Sequence, residues 1–194
     1  MRANSGLRTD TARALQTCGV IDFGAAGLGL AYGTVRLVPA DPEWSTIART
    51  LSDDIAQAVP ALQGVEHVGS TAVPGLLSKP IVDLALGMQP DSDVGDLSDR
   101  LATLGWICRG DAGEDGGLVF VMEDAPWHRV AHAHGVVYGG EQWTRYIALR
   151  ELLRRSPSAR RAYEEAKTEL AVRFPDDHAN YTAGKTPTVA KLLA

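Results

Sequence analysis

Apolar residues fall three or four positions apart at Trp44, Ile47, Leu51, Ile55 and Val59, the spacing of one face of an α-helix. Asp41 supplies an N-cap, Pro42 a first helical residue and Glu43 a favourable first-turn charge, and Pro60 stops the pattern, so a helix is predicted between them. Residues 35–38, ended by Pro39, read as a short strand. Residues 65–68 and 80–86 read as two more, the second apolar enough to belong inside a sheet. A helix over 92–104 precedes a strand pair at 106–109 and 117–122, joined by an acidic, glycine-rich hairpin loop at 110–116. Another strand is expected at 131–137.

From Glu141 the period changes to that of helices. One helix is expected over 141–155; Ser156 and Pro157 then break it and start a second, reaching residue 174. Ala159, Ala162, Tyr163, Ala166 and Leu170 share one face of that second helix. A last short helix is expected at 186–193. Strands followed by helices predict an α+β domain, a mixed β-sheet covered by helices with a helical C-terminal region. Residues 1–33 lack this periodicity and crowd five glycines between Gly19 and Gly33. They read as a Gly-rich N-terminal extension, leaving residues 34–194 as the patterned domain. Gly27 and Gly29 do not make a phosphate loop, because no β-branched strand precedes them and no Lys-Ser/Thr follows.

Composition narrows the function classes. The 194 residues are 45% apolar and 22% charged, with a net charge of −5, which argues for one soluble domain and against a nucleic-acid-wrapping protein. The charge is uneven: residues 141–194 hold 10 basic against 7 acidic side chains, residues 1–140 hold 9 against 17. An anionic small ligand would therefore be held by the C-terminal third. Cys18 and Cys108 fit neither a disulfide framework nor a zinc spacing and read as reduced thiols. The longest apolar or glycine run, residues 23–32, is too short to span a bilayer. The expectation is a cytoplasmic protein with a small-molecule or nucleotide-like ligand, no nucleic-acid or membrane partner, and homo-oligomerisation left open.

The segment from Gly64 to Leu84 carries the chemistry. Gly69, Ser70 and Thr71 form a turn whose hydroxyls and successive amides suit an anion. Asp83 alternates with Val82 and Leu84, and a carboxylate on an apolar strand is costly unless it meets a metal or a cation. Lys79 stands just before that strand, where its ammonium would meet a phosphate. His132 and His134 alternate and project from one face of their strand, which would suit a metal pair, though no cysteine or third histidine at ligand spacing supports zinc. Arg150 falls within the apolar sector of its helix, among Trp143, Tyr146, Ile147 and Leu153, where a guanidinium needs an anion, either a carboxylate such as Asp83 or Glu66 or a ligand phosphate. Lys185 follows Gly184 and would start the last helix within reach of an anion.

The runs Glu66-His67-Val68-Gly69-Ser70-Thr71-Ala72-Val73-Pro74-Gly75 and Lys79-Pro80-Ile81-Val82-Asp83 resemble the signature of the GrpB (UPF0157) family. The likeness extends over about residues 35–194, through His132-Ala133-His134, Leu149 to Arg154, Tyr163 with Lys167, and Tyr181-Thr182 with Lys185. It implies a nucleotidyltransferase-like fold, of which relatives are fused to dephospho-CoA kinases. The superfamily pattern sets a Gly-Ser turn about a dozen residues before two alternating carboxylates that hold divalent metal. On that pattern Asp83 is a catalytic and metal-binding residue, Mg²⁺ the cofactor, and nucleotidyl or phosphoryl transfer to a small metabolite the reaction. Glu66 and His134 join Asp83 as catalytic candidates; Ser70, Thr71, Lys79, Arg150 and Lys185 would bind substrate. The second carboxylate position is Ala85, with Glu66 as the replacement. That departure leaves two other readings open: a non-catalytic ligand-binding or chaperone-like partner domain, and a metal-independent acid–base enzyme using His134 and Asp83.

Overall fold

The computed structural model describes residues 21–111 and 117–194. In chain order they form β1 (Leu30–Ala31), α1 (Glu43–Ala58), β2 (Gly64–Val68), a 3-10 turn (Ser70–Ala72), β3 (Val82–Met88), α2 (Val94–Thr103), β4 (Ile107–Asp111), β5 (Leu118–Ala125), β6 (His128–Val137), α3 (Glu141–Arg155), α4 (Pro157–Arg173) and α5 (His178–Leu193). The strands make one mixed sheet in the order β2-β3-β6-β5-β4, with β1 beside the start of β6. β3 and β6 run parallel, and the other pairs are antiparallel. The architecture is the expected α+β sheet covered by helices.

Alternation along the strands gives the sheet two different faces. Val82, Leu84, Leu86 and Met88 of β3 join Ala131, Ala133 and Phe120 in a core closed by Trp44, Ile47, Leu51 and Ile55 of α1 and Leu97 and Leu101 of α2. The other face of β3 presents Asp83, Ala85 and Gly87, beside His132, His134 and Val136 of β6. There Ala85, Val68 and Val136 pack under Trp143 of α3. A Cβ on Gly87 would meet Tyr138 at 2.6 Å and Trp143 at 3.0 Å, so the bare backbone is what lets those rings lie against the sheet. The packing of α3, α4 and α5 around Leu153, Ala159 and Tyr163 completes the second layer.

Four expectations change. Residues 35–38 form no strand; Val38 alone exchanges backbone bonds with Ser78, while the Val35 N–H donates to the Pro175 carbonyl at 2.6 Å. The central strand starts at Val82 rather than Pro80. The last helix starts at His178, capped by the Asp177 carboxylate accepting from the Asn180 N–H at 3.0 Å, and runs through Pro187. Gly184 is a packing notch inside it: a Cβ there would lie 2.4 Å from Leu170 Cδ2. Finally, part of the expected N-terminal extension is built in. Ala26, Leu28 and Leu30 are buried, and the Trp44 indole N–H donates to the Ala26 carbonyl at 2.8 Å. Residues 1–20 and most of the expected 110–116 loop lie outside the described residues. No helix among the described residues is long and apolar enough to cross a membrane.

Candidate functional site

Register brings the first group of side chains together. Asp83 pairs across the parallel ladder with His132, and Ala85 with His134, so all four side chains lie on the face toward α3–α5. The Asp83 Oδ1 is 3.3 Å from His132 Nδ1 and 3.6 Å from His134 Nε2. Burial would raise the Asp83 carboxyl, but the two histidines beside it outweigh burial and hold it well below its ordinary value. Burial lowers His132, whose Nε2 is enclosed without a hydrogen-bond partner. Gly69, at φ +70°, closes over the carboxylate; a Cβ there would stand 2.6 Å from Asp83 Oδ2.

These groups floor a cavity of about 280 Å³ between the sheet and helices α3, α4 and α5. The rest of its lining is rich in cations. Lys79, from the turn before β3, and Lys185, from α5, both lie over the buried ring of Tyr181, at 5.7 and 4.9 Å from its centroid. Burial, then the Lys185 charge, pushes Lys79 down to about 7. His178, at the start of α5, is lowered to about 3 by burial and by Lys79. Arg145 and Arg150 of α3 line the same space. Of the described residues around the cavity, four are lysine or arginine and only Asp83 is a carboxylate.

Five of the sequence-predicted residues therefore share one cavity: Asp83, His134, Lys79, Arg150 and Lys185. Ser70, Thr71 and Glu66 do not line it. The Ser70 hydroxyl accepts from Lys167 Nζ at 3.0 Å, and the same ammonium donates to the Leu77 carbonyl. Thr71 is buried and shares a 2.9 Å hydrogen bond with His67 Nε2. The Gly-Ser turn is thus held by protein groups, and its hydroxyls serve the turn. Glu66 accepts from Arg150 at 2.7 Å, and Arg150 also donates to the His67 carbonyl at 2.8 Å. The anion expected for Arg150 is Glu66. Lys185 stands inside α5 rather than at its start.

Sequence reasoning missed His178, Tyr181 and Lys167 as parts of this region. The signal for the first two is Asp177, a helix cap whose reach the misplaced helix start concealed. For Lys167 it is the placement of a lysine on the same face as Ala159 and Tyr163, where an ammonium must find buried acceptors.

The donor set does not suit Mg²⁺. A hard ion prefers carboxylate, carbonyl and water oxygens, and here two imidazoles accompany one carboxylate. Ala85 is fully buried beneath Trp143, and Glu66 is engaged by Arg150, so no second clamping carboxylate is supplied.

A mixed sheet with a two-histidine, one-carboxylate floor to a cation-lined cavity under its C-terminal helices defines an α+β domain. The chain belongs to the GrpB family, whose model, described as GrpB protein, matches residues 34–194. It is 38% identical over 161 residues to a UPF0157 protein of Pseudomonas aeruginosa, covering 82% of this chain and 66% of that protein, just under two thirds of its length. The crystal structure of conserved protein GrpB from Enterococcus faecalis superimposes with a TM-score of 0.70 at 26% identity, over 81% of this chain and 97% of that one. A dephospho-CoA kinase of Mycobacterium bovis is 28% identical over 183 residues, which span 81% of this chain and 45% of the kinase.

Proposed function

We propose that this protein binds a phosphate-bearing, nucleotide-like small molecule in the cavity between the sheet and α3–α5. The observation that supports this reading is the charge of the cavity lining: Lys79, Lys185 and Arg145, beside an Arg150 already paired with Glu66 and Glu151, against the single carboxylate of Asp83, in a chain of net charge −5. Lys79 and Lys185 repel one another over Tyr181, and a bound phosphate would relieve that repulsion. The nucleotidyl or phosphoryl transfer implied by the family resemblance would act on the same bound phosphate. Two-metal transfer normally needs both clamping carboxylates, and only Asp83 is on the floor. Binding is therefore the function the side chains support best.

The test is a thermal-shift screen over nucleotides, CoA precursors and amino metabolites, each with and without Mg²⁺. Phosphate-bearing compounds should raise Tm in both conditions. At a hundred times Kd the stabilisation is about 2.7 kcal/mol, roughly 5 °C or more for a chain of this size. The doubly substituted Lys79→Met, Lys185→Met protein should lose the shift. Stabilisation by uncharged metabolites alone would overturn the reading. Stabilisation by nucleotide only when Mg²⁺ is added would replace it with metal-dependent transfer.

A further inference from the structure

Three donors of the cavity floor converge in a way the phosphate reading does not use. One donor atom each from Asp83, His132 and His134 lies within 4.8 Å of the other two, on adjacent parallel strands. We propose that Asp83, His132 and His134 form a two-histidine, one-carboxylate site for a late first-row divalent transition ion such as Zn²⁺, with its open positions facing the cavity.

Spacing carries the assignment. Ligands bonded at about 2.0–2.1 Å to a tetrahedral ion stand about 3.3–3.4 Å apart along each edge of the polyhedron. The two carboxylate–imidazole separations are 3.3 and 3.6 Å. Charge-assisted N–H···O⁻ hydrogen bonds are shorter, about 2.7–2.9 Å, so these contacts suit a shared ion better than direct pairing. The imidazole rings stand 82° to one another with centroids 6.3 Å apart, presenting their nitrogens to one locus instead of stacking. Imidazole donors select zinc, iron, nickel or copper over magnesium.

The surroundings fix the direction of the open side. Val68, Ala85 and Val136 on the same sheet face are apolar and buried, and Gly69 closes over the second oxygen of Asp83. All three donor residues line the cavity, so the remaining coordination positions point into it, where an oxygen of a bound ligand or a water would complete the shell. The site uses different side chains from the lysine wall, so the two proposals stand or fall separately.

The test reads the ion directly. Untagged full-length protein, stripped with EDTA and desalted, is titrated with Co²⁺ and Zn²⁺ and followed by visible absorption and calorimetry. The expected result is one Co²⁺ per chain with ligand-field bands and no near-ultraviolet thiolate band, displacement by Zn²⁺, and none by millimolar Mg²⁺. His134→Ala and Asp83→Asn should each weaken Zn²⁺ binding by more than the roughly 10–100-fold typical of outer-shell partners. His134 is only half-buried, so its variant retains the fold, checked by circular dichroism. His128→Ala, which removes an imidazole paired with Asp124 outside the cavity, should stay within about threefold of wild type by the same measure. Absence of stoichiometric binding, a thiolate band, displacement by Mg²⁺, or a folded His134→Ala protein with unchanged affinity would each overturn the assignment.

Discussion

Gly69 and Asp83 approach so closely that a methyl group at residue 69 would stand 2.6 Å from the carboxylate oxygen. The turn after β2 and the carboxylate of β3 are thereby a single mechanical unit. Gly69 adopts φ +70°, a region where a side chain adds strain of order 1–3 kcal/mol. Gly69→Ala should lower stability by about that amount in urea denaturation and displace Asp83, weakening Co²⁺ binding in the same samples. Unchanged stability together with unchanged metal affinity would show that the turn and the carboxylate are independent.

Anion binding should depend on pH through Lys79. Its ammonium, pushed down to about 7 by burial and by Lys185, also feels Arg129 of β6 and Asp83 of β3. Protonated Lys79 attracts an anion; neutral Lys79 does not. Sulfate, whose charge is constant over the range, should therefore bind best below pH 7 and weaken by up to about tenfold per pH unit above it. Lys79→Arg, with a guanidinium that stays charged, should flatten the profile. A wild-type affinity that is level from pH 6 to 9 in calorimetry would contradict this.

Lys167 offers a stability test away from the ligand. It is 1% exposed, donates to Ser70 and Leu77, and burial, followed by the Lys185 charge, lowers it to about 7 against 10.5 in its ordinary state. Between those two values the unfolded chain binds the extra proton, so stability must rise with pH there, and the penalty is fully present below 7. The expected contribution approaches about 1 kcal/mol per pH unit. Chemical denaturation at pH 7.5, 8.5 and 9.5 should show the rise in wild type and a shallower one in Lys167→Met.

Ala85→Asp restores the second carboxylate of the nucleotidyltransferase pattern on paper. In the fold, residue 85 is fully buried among Val68, Val136 and Trp143. A carboxylate there lacks water and stands beside Glu66, which already holds Arg150, and the expected outcome is a loss of about 2 kcal/mol or more with no gain in Mg²⁺-nucleotide binding. A variant of wild-type stability that binds Mg²⁺-nucleotide tightly would reinstate the two-carboxylate mechanism.

Local periodicity and capping made much of the architecture legible. α3 has the expected bounds, Ser156 caps α4 by accepting from the Ala159 N–H, and Trp44, Ile47, Leu51 and Ile55 are the buried stripe of α1. Arg150 was recognisable because a cation in an apolar sector requires an anion, and its partner is Glu66, one of the carboxylates expected for it. Tertiary context defeated the reading elsewhere. Gly184 and Pro187 look like helix breakers in sequence, yet Gly184 is small so that Leu170 can pack against α5. Ser70 and Thr71 carry the residue types of an anion cradle, but Lys167 of α4 and the neighbouring His67 occupy their hydroxyls. The three-way meeting of Asp83, His132 and His134 depends on the parallel pairing of β3 with β6, a long-range choice that neither strand encodes alone.

The indole of Trp44 reaches back to the carbonyl of Ala26, eight residues before the stretch that the GrpB family model matches. The edge of the matched family model and the edge of the folding unit are therefore different places in this chain. A fragment trimmed to residue 34 would strand a buried donor and uncover the side chains that Leu28 and Leu30 protect. Such a fragment should bind an apolar dye and show red-shifted tryptophan emission, so the natural cut for a minimal domain lies upstream of Ile21.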